Sequence, residues 1–237
     1  MIQFYAPDIE STGILPEGES AHCCRVLRMK SGDHVYVTDG CGSRFLCKIT
    51  DAHPAHTHIS IIEKEVEIPE KEFKLTLAVA PTKSTDRMEW LVEKAVELGV
   101  DRIALLRCDR SERKVIKSER ILKVMVAAMK QSLGTVLPEL MDVTKFGEFV
   151  NKFSGAPQKF FGYCSKDYSR KEFAVECQPK KDVVVMIGPE GDFSPNEVKL
   201  AVDNGFEPVT FGTKRLRTET AGVFAVCAVN VINQRLK

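Results

Sequence analysis

Residues 183–187 read Val-Val-Val-Met-Ile, an unbroken apolar run that leads directly into GPEGDFSPNE at 188–197. A strand without polar alternation is buried on both faces, which a parallel sheet covered by helices provides. In the segment that follows, Ser194 can cap a helix, Pro195 can open it and Glu197 can complete a capping box. The chain is thereby constrained to an α/β domain with a glycine-rich turn over 188–193. That turn lies at the carboxyl end of a buried parallel strand, where open α/β sheets bind their ligands. The turn has neither the G-K-S/T nor the G-x-G-x-x-G pattern, and Glu190 and Asp192 would repel a phosphate, so a ligand with a cationic centre fits better.

The surrounding residues extend the pattern. FKLTLAVA (73–80), RIALL (102–106) and KFFGY (159–163) read as strands. Met88, Leu91, Val92, Ala95, Val96 and Leu98 share one helical face that ends at Gly99, with Asp86 and Glu89 as a capping pair, and 118–132 reads as a further helix. A second loop, TFGTKRLRTETAGVFA (210–225), passes from a short strand through three basic residues into a helix of small side chains. Arg217 and nearby backbone amides and hydroxyls can face a bound group there, although Thr218 and Thr220 could equally serve as caps.

The first seventy residues have a different rhythm. IQFY, HVYV, RFLCKIT and THISII are short apolar runs separated by turn signals, as in a small β-barrel or sheet. The charged stretch 63–74, broken by Pro69, places a domain boundary near residue 71, giving segments 1–71 and 72–237. The net charge of +1 conceals a division, because residues 1–72 carry 7 basic and 12 acidic side chains. Residues 107–123 concentrate seven basic groups, Arg107, Arg110, Arg113, Lys114, Lys117, Arg120 and Lys123, against three acidic ones. Such a run is either a defined polyanion site or a solvated helix face.

Several classes are excluded. No stretch approaches the roughly 20 apolar residues of a membrane span, and MIQFYAPDIE lacks the layout of a signal peptide, so a cytoplasmic location is expected. The eight cysteines contain no C-x-x-C pair and read as reduced thiols. Cys41, Cys47, His53, His56 and His58 match no standard zinc spacing, so no metal is expected, and His56 and His58 read as same-face residues of a strand. All five histidines lie at or before His58, which makes Ser-His-Asp and Cys-His chemistry unlikely in the α/β domain.

Together, IGPEGDFSPNEV and FGTKRLRTETA resemble the paired cofactor-binding loops of SPOUT-class methyltransferases, specifically the RsmE family of 16S ribosomal RNA uracil-N3 methyltransferases. HCCRVLRMKSGD with DGCG, PTKSTDRMEWLVEKAVELGV, and DRSERKV with MKQS are similar to further segments of that family. Asp192 stands where the family usually has glycine. The resemblance implies a PUA-like β-barrel followed by a trefoil-knotted SPOUT domain, S-adenosyl-L-methionine as cofactor, and a homodimer. It also implies 16S ribosomal RNA, in an assembled or partly assembled small subunit, as substrate.

Carried onto this sequence, the resemblance assigns cofactor binding to Pro81, Thr82, Ile187, Gly188, Pro189, Glu190, Gly191, Phe211, Gly212, Leu216, Arg217, Thr218, Thr220 and Ala221. Arg217 is the candidate for stabilising charge on the uracil carbonyls, and Glu219 or Glu190 for accepting the N3 proton or fixing Arg217. Arg25, Arg28 and Lys30 in the barrel, with Lys83, Arg87 and Arg113 near the cofactor end, are candidates for docking RNA. Another ribosomal or transfer RNA base, a non-catalytic RNA-binding module, and an adenine-nucleotide enzyme of Rossmann type are the alternatives. The last would require a phosphate loop, which Pro81-Thr82-Lys83-Ser84 does not supply.

Overall fold

The computed structural model describes residues 2–67, 71–113, 116–165 and 167–234 and divides into two units. Lys114 of the basic run and Pro69 of the charged stretch lie outside the described residues.

The first unit holds β1 (Gln3–Tyr5), α1 (Ile9–Thr12), α2 (Glu17–Ala21) continued by a π-helical turn at His22–Val26, β2 (His34–Thr38), β3 (Ser43–Asp51) and β4 (His58–Val66). The strands pair in chain order, β1 parallel to β2 and the others antiparallel. Along β3, Ser43, Phe45, Cys47 and Ile49 are buried while Arg44, Leu46 and Lys48 are not, the period-two alternation of a sheet with one covered face. Phe45, Cys47 and Ile49 join Phe4, Ile9, Leu15, Val35, Val37 and Ile59 in one core. His56 lies outside β4, in a turn closed by its N–H to the His53 carbonyl at 3.2 Å, so it is not a strand partner of His58.

Residues 126–137, assigned by the sequence reading to the second segment, group with the first unit. Here the Gln3 side chain donates to the Gly134 carbonyl at 2.8 Å, Gly42 N–H to Thr135 and Leu137 N–H to Gly40. Linear composition carries no signal for such a return.

The second unit continues with β5 (Leu75–Val79), α3 (Thr85–Glu97), β6 (Arg102–Arg107), α4 (Ser118–Gln131, of which 126–131 group with the first unit), β7 (Glu139–Lys145), α5 (Phe146–Lys152), β8 (Gln158–Gly162), β9 (Lys171–Glu172), α6 (Phe173–Glu176), β10 (Val183–Ile187), α7 (Pro195–Asp203), β11 (Glu207–Thr210) and α8 (Thr218–Gln234). Its seven strands are all parallel, in the order β7-β6-β5-β10-β8-β11-β9. β10 is wholly buried between β5 and β8, as its unbroken apolar run requires. The last two strands in the chain both insert between strands that precede them, β10 between β5 and β8 and β11 between β8 and β9.

Ser194 and Glu197 form the expected reciprocal capping box at the start of α7, with Pro195 at its first position. α3 is capped by Ser84 rather than Asp86: Ser84 has extended backbone and its side chain accepts from Arg87 N–H. Asp86 sits inside the first turn, where a carboxylate still favours the helix dipole. β7 and α5 are not signalled by the sequence, because β7 is an edge strand with no clean alternation of buried and exposed residues.

Candidate active site

β5 starts the sheet, β6 and β7 extend it one way, and β8, β10 and β11 fill the other side. The carboxyl ends of β8, β10 and β11 open on a cavity of about 790 Å³, within the range of small-molecule sites. Its walls come from Gly162–Cys164 after β8, Ile187–Glu190 with Asp192 after β10, and Val209–Glu219 with Ala221 around the second loop. Arg87, Arg170 and Glu172 complete it.

Side-chain to backbone bonds hold the two loops together. Thr218 is buried and its hydroxyl donates to the Gly188 carbonyl at 3.0 Å, so it links the loops instead of capping α8. Arg215 donates to the Glu190 carbonyl at 3.3 Å, and Arg110 donates to the Gly191 carbonyl at 2.9 Å and to that of Phe193 at 3.3 Å. Arg113 donates to the Lys83 carbonyl, and Arg120 pairs with Glu89. Three members of the basic run therefore engage partners within their own unit, which the charge count could not show.

Asp192 has φ +61°, the left-handed region that favours glycine. Its carboxylate offsets this by accepting from Cys164 N–H at 3.0 Å and Phe193 N–H at 2.9 Å. Asp192→Ala loses both bonds and keeps the strain, whereas Asp192→Gly loses the bonds and relieves it. The alanine variant is expected to be the less stable of the two by about 1 kcal/mol, read from denaturant midpoints. Equal midpoints would show that the backbone conformation carries no cost.

Of the expected cofactor residues, Ile187, Gly188, Pro189, Glu190, Phe211, Gly212, Leu216, Arg217, Thr218 and Ala221 line the cavity. Pro81 and Thr82 are buried, the Thr82 hydroxyl donating to the Ser84 carbonyl, and they are outside its lining, as are Gly191 and the exposed Thr220. Glu219 is nearly buried and ion-paired to Arg87 at 3.7 Å. Glu190 accepts from Lys83 N–H at 3.0 Å. These bonds direct the two carboxylates to the start of α3 and its preceding turn.

Gly162, Tyr163 and Cys164 escaped the sequence reading, although a glycine closing the strand KFFGY is itself a signal of close approach. A Cβ on Gly162 would come within 2.6 Å of Phe211 Cε2. Burial raises the Tyr163 hydroxyl and the Cys164 thiol above their usual pKa ranges, so both are protonated near neutrality and neither is a ready base. Four cysteines, Cys23, Cys47, Cys108 and Cys177, are buried and all eight are free thiols.

The RNA candidates fall into two groups, one in each unit. Arg25, Arg28 and Lys30 are exposed on and after the π-helical turn, Arg28 with φ +55°. Near the cavity, Lys83 pairs with Glu112 at 3.1 Å, Arg87 with Glu219, and Arg113 holds Lys83.

Residues 69–230 match the family model of an RNA methyltransferase domain, and residues 15–62 match that of an RNA methyltransferase PUA domain. The chain belongs to the RNA methyltransferase family. A relative in Synechocystis, ribosomal RNA small subunit methyltransferase E, is 30% identical over 94% of this chain and 74% of its own. The crystal structure of a probable rRNA-methyltransferase from Porphyromonas gingivalis superposes with a TM-score of 0.92 at 38% identity, over the whole of both chains. That of the small subunit methyltransferase E of Neisseria gonorrhoeae bound to S-adenosyl methionine gives 0.85 at 26% identity, over 98% of each. The RNA methyltransferase thus carries its cavity on an α/β domain, with a PUA-like domain in the first unit. Among the described residues no helix is long and apolar enough to cross a membrane.

Proposed function

We propose that this RNA methyltransferase transfers a methyl group from S-adenosyl-L-methionine to N3 of a uridine in the 16S ribosomal RNA of the small subunit. The supporting observation is the cavity at the carboxyl ends of β8, β10 and β11, walled by two loops bonded to each other. The residues fit the cofactor: Gly188, Pro189 and Gly212 offer main-chain groups that adenine edges can pair with. Glu190, Asp192 and Glu219 lower the potential where a sulfonium would lie. The cofactor supplies an electrophilic methyl group. Arg217 donates to a uracil carbonyl oxygen as the N3 proton leaves, stabilising the charge that develops there. Glu219 and Glu190 are the carboxylates available to that proton, or act by fixing the arginines around it.

The segment 1–71 serves as the RNA-binding domain, with Arg25, Arg28 and Lys30 as its docking residues, and 72–237 as the catalytic domain, with Lys83, Arg87 and Arg113 at its rim. The acidic balance of the first 72 residues limits the phosphate contribution, which favours assembled or partly assembled subunits over naked RNA. The C-terminal segment is threaded as a trefoil knot, a reading supported by the late insertion of β10 and β11. The protein works in the cytoplasm, where its substrate is assembled.

The test is twofold. Ribosomal RNA from cells lacking the protein, mapped by mass spectrometry, loses one N3-methyluridine in 16S RNA, and the purified protein restores it on those small subunits with S-adenosyl-L-methionine. An unchanged methylation map would refute the reading. The active form is a homodimer, since α8 keeps Phe224 40% and Val231 42% exposed and α3 keeps Trp90 45% exposed. Light scattering is expected to give about twice the 26.5 kDa chain mass, and a mass near that of one chain would contradict it.

A further inference from the structure

We propose that Asp51, His56 and His58, at the end of the β3–β4 hairpin, form a binding site for a zinc-type divalent cation. One ligand atom from each of the three lies within 4.8 Å of the others. A tetrahedral ion with bonds of about 2.0–2.1 Å holds its ligands roughly 3.3 Å apart, so each atom has about 1 Å to move toward the common centre. Rotation of exposed side chains covers that distance, and Asp51 and His56 are exposed while His58 is half-buried.

The fold assembles what residue spacing does not. A register irregularity between Ile49 and Asp51 places Asp51 directly opposite His58 in the antiparallel pair, where facing side chains are neighbours. His56 reaches the same point from the turn before β4. Between the two histidines, Thr57 is fully buried, with its N–H donating to Ser20 Oγ at 2.9 Å and its hydroxyl to the His53 carbonyl at 2.9 Å. The backbone carrying both imidazoles is thus fixed. The His53 ring stacks on His56 with centroids 3.8 Å apart and planes 24° apart, and its Nδ1 accepts from Ala55 N–H. Cys47 is wholly buried in the core, so it takes no part, and the carboxylate of Asp51 stands where a cysteine would have been sought.

Two imidazoles and one carboxylate suit zinc, nickel or copper, whereas magnesium and calcium favour all-oxygen sets. Three protein ligands leave a fourth position for water. An ion here ties the end of β3 to the start of β4 across the intervening loop, in the unit matched to the PUA domain, and the cluster shares no residue with the cavity described above. Its role is to hold that hairpin end, and no step of methyl transfer depends on it.

Isothermal calorimetry with zinc chloride on the full-length, chelator-dialysed protein tests the assignment. One zinc ion per chain is expected to bind saturably. His56→Ala, His58→Ala and Asp51→Asn are each expected to weaken binding at least about tenfold, the loss that removal of even an outer-shell partner produces. His34→Ala, which removes a histidine that is not one of the three clustered ligands, is expected to bind as wild type. Asp51→Asn alters one exposed side chain, and circular dichroism of each variant distinguishes a lost site from a lost fold. Absence of saturable zinc binding by the wild-type chain, or equal binding by the folded cluster variants, overturns the proposal.

Discussion

Arg217→Ala lowers single-turnover methyl transfer by about a hundredfold, the loss of roughly 3 kcal/mol typical when one donor to developing charge is removed. Affinity for S-adenosyl-L-methionine stays largely intact. Arg217 lies on the loop between β11 and α8, on the cavity wall, and its carbonyl is anchored by Ala221 N–H at 2.8 Å. The side chain is exposed while the backbone beneath it is held, so truncation removes the guanidinium and leaves the loop in place. A donor that meets charge appearing only as the uridine loses its proton acts on the transition state more than on the bound ground state. Arg217→Lys keeps the charge and loses the planar fork, so partial rescue indicates a point-charge role. Single-turnover rates at saturating RNA, beside calorimetric cofactor affinity, separate the two effects. Wild-type turnover by the alanine variant, or loss of cofactor binding with it, would remove Arg217 from this role.

Glu197→Ala produces the largest expected loss of stability. This carboxylate is 6% exposed, with one oxygen accepting from Ser194 N–H at 2.8 Å and the other from Asp109 N–H at 2.9 Å. Ser194 in turn donates to Asp109 at 2.6 Å, so the α7 cap and the loop after β6 form one network. Alanine leaves two poorly solvated N–H groups without partners, at about 1–3 kcal/mol each. A total near 3 kcal/mol lowers the melting temperature by roughly 10 °C in a chain of this size. Glu197→Gln retains one acceptor oxygen and is expected to fall between. Differential scanning calorimetry of both variants measures the order, and a melting temperature for the alanine variant within about 2 °C of wild type would show the network to be dispensable.

Much of this site could be read in the sequence because its strongest features are local. The capping box of Ser194, Pro195 and Glu197 is fixed by residues three apart, and the burial of 183–187 by composition alone. What escaped the reading is long-range. Tyr163 and Cys164 enter the cavity because β8 lies beside β10, and Glu219 meets Arg87 because α8 comes close to α3. Arg110 reads as one charge in a basic run until the fold brings it to the Gly191 carbonyl. The return of 126–137 to the first unit has the same origin, since its partners at Gln3, Gly40 and Gly42 are about ninety or more residues away.

The position of β10 also sets a timetable. Its neighbours β5 and β8 are both made earlier, yet they do not touch until it fills the gap between them. Until then the sheet exists as separate pieces, and closing it requires contacts spanning over a hundred residues, the kind that slow folding. The loops that line the cavity follow β10 and β11, so the cavity is complete only when both strands are in place. A chain stopped before β10 would therefore lack Ile187–Glu190 and the second loop, so cofactor binding and sheet completion are one event and cannot be separated by truncation.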